Sequence, residues 1–116
     1  MSRRARQILA IVATDSTFER GELIGGTAVW SGKCIHCNTR IVVTALGEAL
    51  GPVTIEHIVP RGHGGTDAPE NLALACARCN FQKGFRHDVK RRDDSRAQEV
   101  IAFLSARRRA RWRPAP

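Results

Sequence analysis

The segment ENLALACARCNFQKG, residues 70–84, contains a Cys-x-x-Cys pair formed by Cys76 and Cys79. A pair with the same spacing, Cys34 and Cys37, lies upstream in the stretch CIHC. Two such thiolate pairs, brought together, make the tetrahedral site that structural zinc favours. Two disulfides would instead require an oxidising compartment, and a redox-active pair belongs in a βαβ unit, for which the chain is too short. The spacing therefore predicts a four-cysteine zinc site.

Length and composition limit the fold and the partners. The 116 residues are enough for one domain with short extensions, and an aromatic content of 5% indicates a modest aliphatic core. A net charge of +8, from 19 Lys and Arg against 11 Asp and Glu, favours nucleic acid as a partner, although solubility alone also explains basic proteins. No apolar run approaches the roughly 18 residues of a membrane span. The apolar run 8–13 is too short for a signal peptide, so we expect a cytoplasmic protein without membrane association.

The first half of the chain combines helical and extended patterns. Apolar residues at helical spacing predict a helix over 3–13, and residues 17–24 are expected to add a helical turn. Two β-rich runs, 40–45 and 52–58, are joined by the link LGEALG and predict a hairpin. The expected fold class is therefore α+β.

The second half is predicted to contain two helices. One starts at the second Cys-x-x-Cys pair and ends with Gly84 as its C-cap. The other starts at Ser95, which forms a capping-box signature with Gln98, and leads into an arginine-rich tail. We divide the chain into an N-terminal helical extension (1–29), a central domain (30–86) and a basic C-terminal helix and tail (87–116).

The order of motifs resembles the HNH endonuclease family in its zinc-stapled form. The resemblance is carried by EHIVPRGHGG (56–65), ENLALAC (70–76) and CARCNFQKG (76–84), and with the first cysteine pair it covers residues 30–85. It implies a ββα-metal (His-Me finger) core with the four-cysteine zinc site and flanking N- and C-terminal helices. It also implies hydrolysis of phosphodiester bonds in DNA, with RNA left open as a substrate.

The resemblance assigns roles to four residues. His57 is similar to the general base that activates water, and Glu56 and Asn80 to the ligands of a catalytic Mg²⁺ or Mn²⁺. Asn71 matches the middle Asn, which holds the loop and orients the base. Oxygen ligands suit a hard cation, and histidine titrates near neutral pH, so the chemistry agrees with these roles. Two departures from the commonest pattern are Glu56, where Asp is usual, and Asn80, where His is usual.

The remaining histidines and the basic residues carry weaker expectations. Four thiolates complete a zinc shell, so we expect His36 to face solvent, and we assign no role to His63 or His87. Candidates for phosphate contacts, each equally well explained as part of a solvated surface, are Arg61, Lys83, Arg86, Lys90, Arg91 and Arg92. The sequence shows no recognition helix or stacking platform, so we expect weak sequence specificity.

Two other functions compete with the nuclease. One is a non-catalytic zinc-stapled module that binds nucleic acid through the same fold. The other is a subunit of a larger phage or restriction assembly, docked through the C-terminal helix. The sequence leaves the oligomeric state open.

Overall fold

The computed structural model describes residues 1–116 as an α+β fold. Three α-helices, six strands and three short helical turns follow one another along the chain. In order they are α1 (Arg3–Ala13), β1 (Glu19–Glu22), β2 (Ala28–Lys33), β3 (Arg40–Thr44), β4 (Ala49–Leu50), β5 (Val53–His57), 3₁₀ turns Arg61–His63 and Pro69–Asn71, β6 (Leu72–Cys76), α2 (Ala77–Lys83), a π-helical turn (Gly84–Asp88) and α3 (Ser95–Ala110).

The N-terminal helix confirms the prediction for residues 3–13. The Ser2 side chain caps α1 by accepting a hydrogen bond from the Ala5 N–H, and the helix buries Ile8 and Ile11. The helical turn expected over 17–24 is wrong, because β1 occupies this stretch and pairs with β2. A Gly25-Gly26 turn joins these strands with positive φ angles, which suit an antiparallel connection.

The strands form two separate antiparallel units. One is a four-stranded sheet in the order β1-β2-β3-β4, and the other is the hairpin of β5 and β6. The predicted hairpin between 40–45 and 52–58 is therefore wrong. The partner of β5 is β6, which pairs Glu56 with Ala73, and the first four residues of β6 are buried. Because such a strand has apolar residues on both faces, its sequence shows no alternation that would mark it as a partner.

Both predicted C-terminal helices exist, but their ends differ from the prediction. Gly84 is not a C-cap, because its φ of −56° is helical and the chain continues into the π-helical turn. The N-cap of α3 is Asp94 rather than Ser95, and its carboxylate accepts from the Ala97 N–H. The cap is therefore the carboxylate of Asp94 and not the Ser95 hydroxyl that the capping-box signature predicted.

One hydrophobic core unites the three segments of the chain. It contains Ile8, Ile11 and Val12 of α1, Phe18, Cys34, Ile35, Ile41, Val43, Val53, Ile58, four residues of β6 and Leu104 of α3. The hairpin of β5 and β6 thus lies between elements from both ends of the chain. No helix of the protein is long and apolar enough to cross a membrane.

Arginines of the C-terminal helix and the segment after it turn inwards. Arg108 is buried and donates hydrogen bonds to the carbonyls of Leu72, Thr14 and Pro69 and to the Thr14 hydroxyl. Arg113 donates to the carbonyls of Val12, Ala13 and Phe18. These guanidinium groups fasten α3 and the C-terminal segment to the end of α1 and to the hairpin.

Candidate active site and zinc centre

The four cysteines converge on one point at the base of the hairpin. Their sulfur atoms all lie within 4.8 Å of one another, and the Sγ atoms of Cys37 and Cys76 are 3.9 Å apart. A tetrahedral tetrathiolate zinc site requires sulfurs about 3.8 Å apart, given Zn–S bonds of about 2.3 Å. The four thiols are free rather than paired in disulfides. The arrangement confirms a four-cysteine cluster that can hold zinc.

Backbone hydrogen bonds and burial act in opposite directions on the thiols of the cluster. The N–H groups of His36 and Cys76 donate to the Cys34 sulfur. Burial raises the pKa of Cys34, whereas a backbone hydrogen bond at Thr39 lowers the pKa of Cys37 to about 7. Burial is also the main cause that raises the pKa of Cys79. A metal ion is the natural partner for thiols held this close, because it takes them up as thiolates.

Glu56 lies at the interface between β5 and α2, in an ionic network that the sequence did not suggest. Its side chain is completely buried. The His36 imidazole donates to Glu56 Oε2 at 2.5 Å, so the expectation that His36 faces solvent is wrong. The Lys83 ammonium is 3.5 Å from Glu56 Oε1, and this oxygen accepts no hydrogen bond. Lys83 itself is buried and donates to Asp88 and to the His57 carbonyl.

Asn80 faces the same strand from the first turn of α2. Its amide nitrogen donates to the Thr54 hydroxyl at 3.0 Å and to the Ile55 carbonyl at 3.3 Å. Both bonds are made by the amide nitrogen, and no group of the protein donates to the Asn80 Oδ1. Since Thr54 and Glu56 are two residues apart on β5, they lie on the same face of the strand. The structure thus brings Glu56 and Asn80 to one interface.

His57 ends β5 and belongs to a different cluster. Its Nε2 lies 2.7 Å from Asp67 Oδ1, and its side chain is 20% exposed. Arg61 and Arg3, the latter from α1, both donate to the same carboxylate. The hydrogen bond from His57, followed by the bond and charge of Arg61, lowers the pKa of Asp67 below its ordinary value. The cluster therefore holds Asp67 ionised against the imidazole.

Asn71 braces the loop between β5 and β6. Its Oδ1 accepts from the Val59 N–H, and its amide nitrogen donates to the carbonyls of Val59 and Thr66. Gly65 passes so close to this point that a Cβ there would lie 1.7 Å from the Val59 carbonyl oxygen. The brace fixes the loop that carries Asp67 and therefore sets the position of the carboxylate beside His57.

The four proposed site residues do not converge on a single contact. The side chains of Glu56 and His57 share no hydrogen-bond partner, as expected for neighbours on an extended strand. Lys83 is the one link between the clusters, because it contacts both the Glu56 carboxylate and the His57 carbonyl.

The basic candidates differ in their exposure. Lys83 is buried, whereas the other five are exposed, namely Arg61, Arg86, Lys90, Arg91 and Arg92. Lys83 and Arg86 line a cleft of about 520 Å³ between α2 and α3, together with His36, His87 and Arg96. His63 lies outside this cleft and contacts the Lys90 carbonyl.

The sequence analysis did not predict that His36 contacts Glu56 or that Asp67 contacts His57. It also did not predict that Lys83 is buried. Asp67 had a usable signal, because it is the acidic residue of the glycine-rich loop that follows His57. His36 had none, since its partner Glu56 is distant in the sequence and depends on how the cysteine cluster brings the two segments together.

Comparison with protein families gives one match. Residues 34–86 match the family model described as HNH endonuclease. The matched segment begins at Cys34, the first residue of the cysteine cluster, and includes the hairpin, the loop and α2. Searches of curated proteins and of solved structures each gave no significant match.

Proposed function

Because residues 34–86 match the family model described as HNH endonuclease, we propose that this protein hydrolyses phosphodiester bonds in DNA with a divalent cation and with His57 as the general base. The observation that carries the proposal is the 2.7 Å contact between His57 Nε2 and Asp67. A carboxylate beside one ring nitrogen is the arrangement that orients a histidine for proton transfer. The same proposal places the protein in the cytoplasm, where its zinc-binding thiols stay reduced.

The Asp67 contact supports Nδ1 as the nitrogen of His57 that acts as the base. A carboxylate accepts hydrogen bonds only, so the 2.7 Å contact assigns the ring proton to Nε2. The Arg61 Nε–H points at the same nitrogen from 3.3 Å and would donate to it in the other tautomer, whereas in the assigned tautomer the Arg61 guanidinium donates to Asp67. Nδ1 accepts no hydrogen bond from the protein and is the nitrogen that takes a proton from water. The resulting hydroxide attacks phosphorus, and the bond from phosphorus to the leaving sugar oxygen breaks.

The residues at the interface of β5 and α2 fit a hard cation. Glu56 Oε1 is buried without a hydrogen-bond partner, and Asn80 Oδ1 accepts none from the protein. A carboxylate oxygen and an amide oxygen are ligands that Mg²⁺ and Mn²⁺ accept. When bound, the cation neutralises charge on the phosphate oxygens and on the leaving oxygen. His36 holds Glu56 Oε2 in a fixed direction, and Lys83 balances the buried carboxylate.

The exposed basic residues give the substrate a path to the site. Arg61 lies beside His57, and Arg86, Lys90, Arg91 and Arg92 follow α2. Contacts of these cations with phosphate position a strand without reading its sequence. We assign Lys83 to the Glu56 network rather than to the substrate surface, because its ammonium is buried among Glu56, Asp88 and the His57 carbonyl.

One observation favours the non-catalytic alternative. Glu56 already has two nitrogen partners, His36 and Lys83, and its side chain shares neither of them with the His57 side chain. In a zinc-stapled module that only binds nucleic acid, the buried Glu56 network would serve to hold the fold together and would not need to act with His57. Docking of α3 to a larger assembly has less support, because the Arg107 guanidinium lies over the ring of Phe103, the large apolar side chain exposed on that helix.

Cleavage of supercoiled plasmid separates the two functions. We expect wild-type protein to nick plasmid in Mg²⁺ or Mn²⁺, and His57→Ala to lose about 10²- to 10⁴-fold in rate, the usual contribution of a general base. His63→Ala is the matched control, since His63 is a histidine of the same loop that contacts only the Lys90 carbonyl. DNA binding, measured by fluorescence anisotropy, should be equal in both variants. Equal nicking by wild type and His57→Ala would refute the catalytic role.

A further inference from the structure

The outer side of α2 and of the π-helical turn carries a row of exposed apolar side chains. Phe81, Phe85 and Val89 are 75%, 72% and 73% exposed, although the protein is poor in aromatic residues. The two phenyl rings are nearly parallel, with an interplanar angle of 6° and centroids 6.4 Å apart. We call these three residues the aromatic platform. Two parallel rings left in solvent indicate a surface that binds a partner.

The fold fixes the direction of the platform. Asn80 and Lys83 contact β5, so the side chains of Phe81 and Phe85 leave the helix on its other side. Phe81 nevertheless follows Asn80 directly in the chain. The sequence analysis did not predict this exposed pair of rings, because helical periodicity does not tell which side of α2 packs against the hairpin. The platform and the proposed active site therefore lie on opposite sides of the same short helix.

Exposed positive charges lie close to the aromatic platform in the chain, on α2 and the segment that follows it. Arg78, Arg86 and Lys90 are exposed, and none of them has a carboxylate within ion-pair distance. The one acidic residue between positions 77 and 90 is Asp88, which pairs with Lys83. Aromatic rings interleaved with free cations match the two parts of an unpaired nucleic-acid strand, its base faces and its phosphates. A second copy of this chain would bring the same free cations against one another.

We propose that the aromatic platform stacks the unpaired bases of a nucleic-acid strand while Arg78, Arg86 and Lys90 contact its phosphates. In a duplex the base faces are covered by neighbouring pairs, so the platform selects single-stranded or locally opened nucleic acid. The inference rests on the proposed function in one respect, namely that the bound strand is the substrate. The binding preference itself does not depend on cleavage.

The test compares two probes of equal charge. One is an oligothymidylate of about 12 nucleotides, within the usual site sizes for single strands, and the other is an abasic oligomer of the same length. Binding is measured by fluorescence anisotropy without added divalent cation and at fixed salt, since phosphate contacts depend strongly on salt. We expect wild type to bind the thymidylate about 5- to 100-fold more tightly, the range that base–aromatic stacking gives per base.

The variants assign this preference to the platform. Phe81→Ala/Phe85→Ala should bind both oligomers equally, and Phe81→Trp/Phe85→Trp should retain the preference. The matched control is Ile24→Ala, an exposed apolar residue in the turn between β1 and β2, which should behave as wild type. The proposal is overturned if wild type binds both oligomers equally or if the double alanine variant keeps the preference. It is also overturned if sedimentation shows a wild-type dimer that the double alanine variant dissociates while the preference persists. Absence of plasmid nicking with an intact preference would instead refute the proposed function.

Discussion

Arg108 offers the sharpest test of how the C-terminal helix is held. Its guanidinium is 1% exposed and donates four hydrogen bonds, at 2.7–3.1 Å, to Leu72, Thr14 and Pro69. Burial lowers the pKa of Arg108, because removing the charged guanidinium from water is unfavourable. Arg108→Met keeps much of the side-chain volume and removes every donor, so its effect isolates the hydrogen bonds.

The structure sets the expected magnitude. Hydrogen bonds from a charged donor contribute roughly 1.5–3 kcal/mol each, and relief of the buried charge offsets several kcal/mol of their total. We therefore expect Arg108→Met to lower the free energy of unfolding by about 3–5 kcal/mol. In a domain of this size that corresponds to a fall in Tm of about 10–20 °C.

Urea unfolding followed by far-UV circular dichroism, with zinc in slight excess, measures this loss. The neighbouring Arg109 is the matched control, because it is exposed and its side chain makes no hydrogen bond within the protein. Arg109→Met should change stability by less than about 0.5 kcal/mol. A loss below about 1 kcal/mol for Arg108→Met, or equal losses for the two variants, would refute the idea that this guanidinium fastens α3.

Three further predictions concern the site. Asp67→Asn should lower the rate of plasmid nicking by about 10- to 100-fold, because His57 loses its orienting carboxylate, and ¹⁵N NMR should show that the Nε2–H tautomer is no longer dominant; an unchanged rate would count against the pair. Because the pKa of Asp67 is lowered in the folded protein, its ionised carboxylate stabilises the fold above the ordinary carboxylate pKa of about 4. The stability difference between wild type and Asp67→Ala should therefore vanish as the pH falls through the folded-state pKa. Urea unfolding at several pH values measures this difference, and a difference that persists in acid contradicts the prediction. Removing zinc with a chelator, or Cys79→Ser, should abolish cooperative unfolding, and Zn²⁺ but not Mg²⁺ should restore it to the wild type; full structure in the chelator would argue against a structural metal.

The sequence was most informative where a short motif determines local geometry. The periodicity of residues 3–13 predicted α1, because a helix depends on neighbours within one or two turns. The two Cys-x-x-Cys pairs predicted the sulfur cluster, because each pair has the spacing of a zinc-binding motif although the pairs are distant from each other in the sequence. The pairing of β5 was predicted wrongly. A strand finds its partner through burial on both faces, and the run Leu72–Cys76 could not be assigned to β5 without knowing what covers it.

Side-chain environments were harder to predict than elements. Lys83 was expected at the surface because it is charged, yet it is buried beside Glu56. His36 was expected in solvent because it lies between zinc ligands, yet it reaches a carboxylate twenty positions away in the sequence. In both residues the deciding contact joins Glu56 on β5 to a residue that is distant in the sequence. The roles of Glu56 and His57 stay predictions until the variants are measured.

The inward arginines change how the basic composition should be understood. The formal charge of +8 counts Arg107, Arg108, Arg111 and Arg113 as though a polyanion could reach them. The guanidinium groups of these four residues donate hydrogen bonds to carbonyls of the same chain, so few of their N–H groups are free to contact phosphates and displace counterions. The dependence of nucleic-acid affinity on ionic strength should therefore be shallower than the amino-acid totals imply. Part of the excess of arginine therefore cross-links the backbone of the protein itself.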